Sequence, residues 1–504
     1  FIVTGTTVIG FLSNLASDLP PIRDFGIVAA VGIVFTFLIF GVFLPAAKVW
    51  LDRKAETYPL PVFSQSPLGA EGSRLGEVLR GGVVVAKYTP VLFLLLALVA
   101  SAGAGWYATD VDTTFTQEDF LPPEEVPGYL QQLPEPFAPG DYSVVATLNF
   151  LEEKFQTTQG GSVTVYYETR MERDTALEEI HRAGEDPPGS FVSEDRRADS
   201  ESIVTVVQSQ AERDPEFRRL VQRNDRNGNG VPDDNLGKVY DRLLDSPARD
   251  QALNYLAEDR RSTRVVYSVS ADASQSEVTE DGRMVADRFR GGAVATGNTV
   301  VFKAVSDLIF ESAVTSLALA LGATVVFLIV IYWILEGLPS LGVVNTLPIA
   351  VAVAFVAGTM RLLGISFNAF TATILSLTIG LGIDYSVHVV HRFVDERREH
   401  DLFTALDRTV RGTGGALAGS MLTTTFGIGV LVLALLSVLG QFGVLTALSI
   451  VYSFVASLFV LPSALVVWDR FVNGDPSVPM GHPEETTHTD SPSGQAVATD
   501  GGRE

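Results

Sequence analysis

The chain has 504 residues, of which 47% are hydrophobic, and its formal net charge is −23 with no cysteine. This composition is too apolar for an ordinary soluble enzyme and predicts several membrane spans, with the acidic residues outside them. The acidic balance argues against nucleic-acid binding, and the missing cysteines exclude disulfides, thiolate catalysis and cysteine zinc sites. An acidic surface with few lysines is typical of halophilic archaea.

Apolar runs of about 20 residues, the length that crosses a bilayer as a helix, recur along the chain. We predict spans at 26–50, 89–107, 309–335, 341–363, 366–392, 414–437 and 440–468. A shorter run at 1–17 indicates the end of another span. Basic residues in the loops 51–88 and 393–413 place both loops in the cytoplasm, which puts the acidic segment 108–308 outside the cell.

The segment 108–308 reads as an α+β domain. Its predicted strands are 162–168, 202–208 and 264–270, and its predicted helices lie near 172–183, 212–223 and 275–290. A helix beginning near Val300 is expected to continue into the span at 309–335. The predicted divisions are two spans of a first repeat (1–50), a linker with an interfacial helix (51–88), the first span of a second repeat (89–107), the external domain (108–308), a five-span bundle (309–470) and a disordered cytoplasmic tail (471–504).

Residues 6–53 match residues 423–470 without a gap, at a constant offset of 417. Thr6-Thr7 aligns with Thr423-Thr424, Phe25-Gly26 with Phe442-Gly443, and Asp52-Arg53 with Asp469-Arg470. Chance similarity between apolar helices does not usually preserve such pairs in one register. Both copies cross the membrane in the same direction, so the pattern predicts a parallel repeat.

Asp384 lies inside the apolar run 373–393, with Tyr385 beside it and His388 one helical turn further on. A carboxylate at membrane depth is costly and by default marks an ion or proton site. Burial disfavours its charged form, so it can load a proton on one side and release it on the other. We predict Tyr385 and His388 as further ion-coupling residues: Tyr385 could hydrogen-bond an acid on the facing half, and His388 shares a helix face with Asp384 and could relay protons. Packing roles for both residues stay open.

Small and hydroxyl residues are expected to support this site, because they let helices approach closely and can satisfy a polar partner. Simple small-residue packing stays open as the alternative for each of them. The supporting residues that we predict are Gly380, Gly382, Ser420, Thr423, Thr424, Thr6 and Thr7.

The segment 225–233 has the spacing of a calcium loop, with oxygen side chains at its first, third, fifth and ninth positions. These residues are Asp225, Asn227, Asn229 and Asp233. The twelfth position is Leu236 instead of Glu, and two asparagines lower the charge, so we expect either weak Ca²⁺ binding or an Asn-Gly-rich turn. We expect no other cofactor.

The motif Gly380-Leu381-Gly382-Ile383-Asp384-Tyr385, the external domain after the first span of a half, and the parallel repeat together resemble the RND superfamily, and its MMPL branch most. That branch is related to Patched-like and sterol-sensing proteins. The resemblance covers residues 1–470 and implies a polytopic α-helical membrane protein of twelve spans, about eight of them here, with an external α+β porter-like domain. The offset puts the first-half counterpart of Asp384 before residue 1, so we expect the native protein to have a preceding half.

The resemblance implies a proton-driven secondary exporter of hydrophobic or lipid-like substrates in the plasma membrane, with Asp384 as the coupling residue. A sterol-sensing-like lipid sensor and a SecDF-like accessory to protein export are the alternatives, and Na⁺ coupling stays open. No nucleophile-base set, HExxH or Walker loop is present, so we expect neither an enzyme nor an ATP-driven pump. The implied partners are membrane lipids and the hydrophobic substrate, and homo-oligomerisation stays open, since RND pumps are often trimers while the MMPL branch can act as monomers.

Overall fold

The computed structural model describes residues 1–55, 74–111, 161–270, 272–434, 436–474 and 477. Within these ranges seven helices are long and apolar enough to cross a membrane, and the apolar helix Ile2–Ala16 is shorter. The chain is therefore a polytopic α-helical membrane protein. The predicted tail beyond residue 477 and the segments 56–73 and 112–160 lie outside the described residues.

Sixteen α-helices lie within the described ranges. In chain order they are α1 (Ile2–Leu12), α2 (Pro20–Ala55), α3 (Arg74–Tyr88), α4 (Pro90–Tyr107), α5 (Ala176–Ala183), α6 (Ile203–Arg213), α7 (Pro215–Arg223), α8 (Leu236–Leu244), α9 (Arg249–Leu253), α10 (Gln275–Ala286), α11 (Asn298–Glu336), α12 (Ser340–Leu362), α13 (Ala369–Glu399), α14 (Leu402–Gly429), α15 (Ser437–Val455) and α16 (Leu461–Val472). A π-helical segment, Ala456–Val460, joins α15 to α16.

The described part of the α+β domain is built on a four-stranded antiparallel sheet of order β4-β5-β1-β6. Its strands are β1 (Ser162–Glu168), β4 (Ser200–Glu201), β5 (Ser262–Ser268) and β6 (Ala293–Thr296), while β2 (Ser193–Glu194) and β3 (Arg197–Ala198) form a separate hairpin. Alternate residues of β1 are fully buried, and α10 packs on the sheet. β1 and β5 confirm two of the predicted strands.

The third predicted strand, 202–208, is wrong, because these residues begin helix α6. Ser202 caps that helix: its hydroxyl accepts from the Val204 N–H, and its own N–H donates to Thr205 Oγ1 at 2.9 Å. The buried residues Ile203, Val206 and Val207 have helical spacing that continues past the predicted window. The capping box and this longer periodicity outweigh the strand preference of the β-branched residues.

Helix α11 joins the domain to the membrane bundle as one unbroken helix of 39 residues, as the sequence predicted. Its first turns pack against β1 and β6, and its last residue is Glu336. We call the end of the bundle where α11 enters from the domain the domain-side end, and the end at Glu336 the far end.

The repeat found in the sequence reappears in the element boundaries. Helix α1 ends at Leu12 and α14 at Gly429, and a short 3₁₀-helix follows each, at Ser13–Ala16 and Val430–Leu433. The next helices, α2 and α15, begin at Pro20 and Ser437. Every one of these boundaries differs by the same offset of 417 residues.

Candidate functional site

Asp384 lies half-way along α13, which α1, α11, α12, α14 and α15 surround. The helix is fixed at its domain-side start by Asn368, whose side chain accepts from the N–H groups of Phe370 and Thr371 at 3.0 Å each. The Oδ1 atom of Asp384 is buried and has no hydrogen-bond partner among the described residues. A structural acid at this depth is expected to be hydrogen-bonded, so the unpartnered Oδ1 of Asp384 calls for another explanation.

One turn before Asp384, α13 meets α1 at a glycine contact. A Cβ at Gly10 would lie 2.8 Å from the Gly380 Cα, so Gly10 does not tolerate a side chain without separating the helices, whereas a Cβ at Gly380 would meet Thr7 at an ordinary contact distance of 3.4 Å. Beside it, Thr7 Oγ1 donates to the Gly380 carbonyl oxygen at 2.9 Å. The first copy of the repeat is thus bound tightly to the helix that carries Asp384.

Tyr385 points away from this contact and is 5% exposed. Its ring packs edge-on against Phe454 of α15 at 5.8 Å between centroids, and its hydroxyl faces Ser420 on α14. At Gly382 a side chain would collide with Ser453 of α15. Tyr385 and Gly382 therefore lie at the junction of α13 with α14 and α15.

Among the described residues, His388, Thr423 and Thr424 form no hydrogen bond with the side chain of Asp384. His388 is exposed at the bundle surface. Thr423 is exposed and Thr424 half-buried, and their hydroxyls donate to carbonyls of their own helix, at Gly419 and Ser420, 2.9 Å away. Thr6, by contrast, is fully buried. A relay role for His388 stays a prediction.

A polar cavity that no pattern in the sequence indicated lies at the domain-side end. It measures about 10 Å³, the size of one water molecule, and Asn14, Ser17, Ser312, Ser316 and Thr373 line it. Asn14 Nδ2 and Ser316 Oγ are buried without a partner among the described residues. Asn14 Oδ1 accepts from Ser376 Oγ at 3.1 Å. We call this the polar cavity.

Ser376 connects the polar cavity with the acid. Ser376, Gly380 and Asp384 follow one another at four-residue intervals and share one face of α13. The Gly10–Gly380 contact separates the cavity from Asp384 in this conformation. The spacing to Ser376 was readable in the sequence, but the position of Asn14 was not.

Buried charges also lie at the far end, where the sequence analysis named none. Glu336, at the end of α11, pairs with Arg398 at 2.6 Å and with His391 Nδ1 at 3.2 Å. Arg397 and Asp469 are both fully buried and form a two-contact ion pair at 3.1 Å between α13 and α16. These pairs fix the far ends of three helices.

The predicted calcium loop is closed by its own backbone. Asp225 Oδ1 and Oδ2 accept from the N–H groups of Gly228 and Gly230 at 2.8 Å each, and Asn229 Nδ2 donates to Glu178 at 2.8 Å. Burial works against the Glu178 carboxylate, but hydrogen bonds from Asn229 and Arg182 outweigh it, so its pKa lies below the ordinary value. The described residues contain no group of three or more His, Cys, Asp or Glu placed to hold a metal.

A family model described as the MMPL family matches residues 191–481, more than half of the chain. The chain belongs to the MMPL family. This places it in the RND superfamily, as the motif around Asp384 and the parallel repeat indicated.

Relatives of this MMPL-family chain span different shares of it. It is 26% identical over 410 residues to the protein MJ1562 of Methanocaldococcus jannaschii, covering 79% of this chain and 96% of that protein. It is 28% identical over 154 residues to the apo-petrobactin exporter of Bacillus anthracis, covering 29% of this chain and 21% of the exporter.

The cryo-EM structure of the hedgehog release protein Disp from the water bear Hypsibius dujardini matches with a TM-score of 0.58 at 13% identity. The match covers 92% of this chain and 57% of Disp, so the chain spans just over half of that protein. At this identity the likeness shows a shared fold alone.

Proposed function

We propose that this MMPL-family chain works in an ion-gradient-driven secondary exporter of hydrophobic or lipid-like substrates, with H⁺ as the coupling ion. The observation that carries the proposal is Asp384, a carboxylate inside the membrane bundle whose buried Oδ1 has no partner among the described residues. Such a group gains little from staying charged and can take up and release a proton as access alternates. The similarity to the apo-petrobactin exporter also supports a role in export.

The orientation follows from the far-end charges. Basic residues there include Arg53, Lys54, Arg80 and Lys87, and cationic loops are retained in the cytoplasm. We therefore propose that the far end is cytoplasmic and that the α+β domain is external, in the plasma membrane. The role is transport, and no enzymatic step is proposed.

Ion flux into proteoliposomes tests the proposal, with a pH-sensitive dye inside and Na⁺ present or absent. We expect the wild type to dissipate an imposed proton gradient and Asp384→Asn, which keeps the shape but not the titration, to hold it. Asp395→Asn is the matched control, because Asp395 is on the same helix with its side chain 46% exposed. If Asp384→Asn conducts like the wild type, the acid is structural and the proposal fails.

A lipid sensor without transport is the second candidate. It is favoured by a large apolar cavity of about 620 Å³ at the domain-side end, which suits a lipid whether or not the lipid is moved. A sensor needs no titrating acid. If lipid raises the stability of the protein but no ion flux depends on Asp384, the lipid-sensor function is favoured over transport.

A further inference from the structure

The apolar cavity of about 620 Å³ lies where the two copies of the repeat meet. Its lining includes Ile22 and Phe25 at the start of α2, and Leu439 and Phe442 near the start of α15. These are equivalent positions of the repeat, since Ile22 corresponds to Leu439 and Phe25 to Phe442 at the offset of 417. The cavity is therefore built by matching residues of both copies of the repeat, near the domain-side end of the bundle.

The chemistry of the lining defines the ligand. Among the described residues that line the cavity, Thr373 alone carries a polar side chain. The volume lies in the range of small-molecule sites, and an apolar lining of this kind suits a hydrocarbon chain. A charged or strongly polar ligand would lose its hydration here without compensation.

The cavity has an opening on the bundle surface at the domain-side end. Phe25 and Phe370 line it and remain 40% and 39% exposed. Arg23 and Asp24, between Ile22 and Phe25 in the chain, are exposed at the same end. A molecule with a hydrocarbon chain and a polar head can thus place the chain in the cavity and leave the head at the rim.

We propose that this cavity binds the hydrocarbon chain of a lipid-like molecule, and that this is where the exporter holds its substrate within the membrane. The assignment rests on the proposed function for its role in transport, but binding itself does not depend on ion coupling. A bound chain contacts Ile22 and Thr373, which also line the polar cavity. The hydrocarbon site and the polar face leading to Asp384 are thus separated by the width of these side chains.

The test is a fluorescence titration of the purified 504-residue chain with cis-parinaric acid, a fluorescent fatty acid. We expect saturable binding to the wild type. Ile22→Trp should weaken it about tenfold, because the larger indole occupies space that the bound chain needs and overpacking of this size is about a tenfold loss. Leu439→Trp, at the equivalent position of the second copy, should act alike and carries the test if Ile22→Trp does not fold. Val28→Trp is the control, since Val28 is on the same helix and 71% exposed.

The two hypotheses fail in different ways. Asp384→Asn should bind the probe like the wild type, so a loss of flux with intact binding supports both. If the wild type shows no saturable binding, or if both cavity variants bind like the wild type, the site is overturned whatever the flux shows. If the cavity variants lose binding while Asp384→Asn still conducts, the site stands and the coupling proposal fails.

Discussion

The hydroxyl of Thr7 lies 2.9 Å from the carbonyl oxygen of Gly380, 373 residues away in the chain, and shares its proton between that oxygen and the Val3 carbonyl of its own helix at 2.8 Å. Helix geometry pairs the same carbonyl with the N–H of Asp384, one turn later. The first copy of the repeat therefore holds the backbone that positions the acid.

We expect Thr7→Val to destabilise the bundle by about 1 kcal/mol, the net value of one buried hydrogen bond. The equivalent substitution Thr424→Val is the control, because that hydroxyl bonds only within its own helix and is half-buried. Unfolding of both variants by SDS titration in mixed micelles measures the difference. Equal effects would show that the contact across the helices contributes nothing.

The glycine contact predicts substitutions of opposite sign at equivalent positions. Gly10→Ala must push α1 from α13, because its Cβ would lie 2.8 Å from the Gly380 Cα, and overpacking of this kind costs about 1–3 kcal/mol. Gly427, its counterpart, has open space around it, so Gly427→Ala should stabilise by up to about 1 kcal/mol through helix propensity. Thermal unfolding in detergent compares them, and a stable Gly10→Ala protein would contradict the contact.

The buried ion pair gives a third comparison. Arg397→Met alone leaves Asp469 charged and unpaired in the interior, at a cost of about 3–5 kcal/mol, and the double variant Arg397→Met/Asp469→Leu should recover most of it. The control is Asp52→Leu, at the repeat position of Asp469. The Asp52 side chain is 63% exposed beside Lys48, so its loss should change stability by less than about 1 kcal/mol. A double variant no better than the single one would refute this account.

The polar cavity should affect the ion flux that depends on Asp384. Ser316→Ala removes one of its two unpartnered atoms, and we expect the flux to fall about fivefold, since a water entering the cavity would lose one hydrogen bond. Ser306→Ala is matched in helix, burial and lack of a partner among the described residues, but Ser306 does not line this cavity. The proteoliposome assay should therefore separate the two serines. The same flux from both would remove the cavity from the ion route.

The loop around Asp225 can be tested for both predicted readings. Asp225→Ala should lower the melting temperature without any metal, because two backbone N–H groups lose their acceptor. If the loop also binds Ca²⁺, adding the ion should raise the melting temperature of the wild type and leave that of Asp225→Ala unchanged. If Ca²⁺ does not change the melting temperature of the wild type, the loop is an Asn-Gly-rich turn and not a calcium site.

Local patterns in the sequence predicted much of this fold. The apolar runs indicated the spanning helices, and the pairs shared at a constant offset indicated a repeat whose helix ends later coincided. The stretch 202–208 failed because a seven-residue window of β-branched residues cannot be told from a helix start, while Ser202 and Thr205 form a capping box that decides it.

The candidate site was predicted in part. A carboxylate inside an apolar run can be recognised from the sequence alone, so Asp384 was predicted as a candidate site without the structure. Contacts such as those of Asn14 with Ser376 or Arg397 with Asp469 join distant segments, and no periodicity within one helix reports them. The four-residue spacing correctly puts His388 on the same helix face as Asp384, but spacing within one helix does not predict which neighbouring helices pack against that face. In the structure His388 is exposed.

Helix α11 connects the α+β domain rigidly to the far end of the membrane bundle. Its 39 residues contain no proline and reach from the sheet of the α+β domain to the ion pairs of Glu336. At the rise of an α-helix it is about 58 Å long, so a tilt of about 5° moves its far tip by about 5 Å. A rocking of the domain that tilted α11 as a rigid rod would therefore displace its last residue, Glu336, relative to its partners Arg398 and His391.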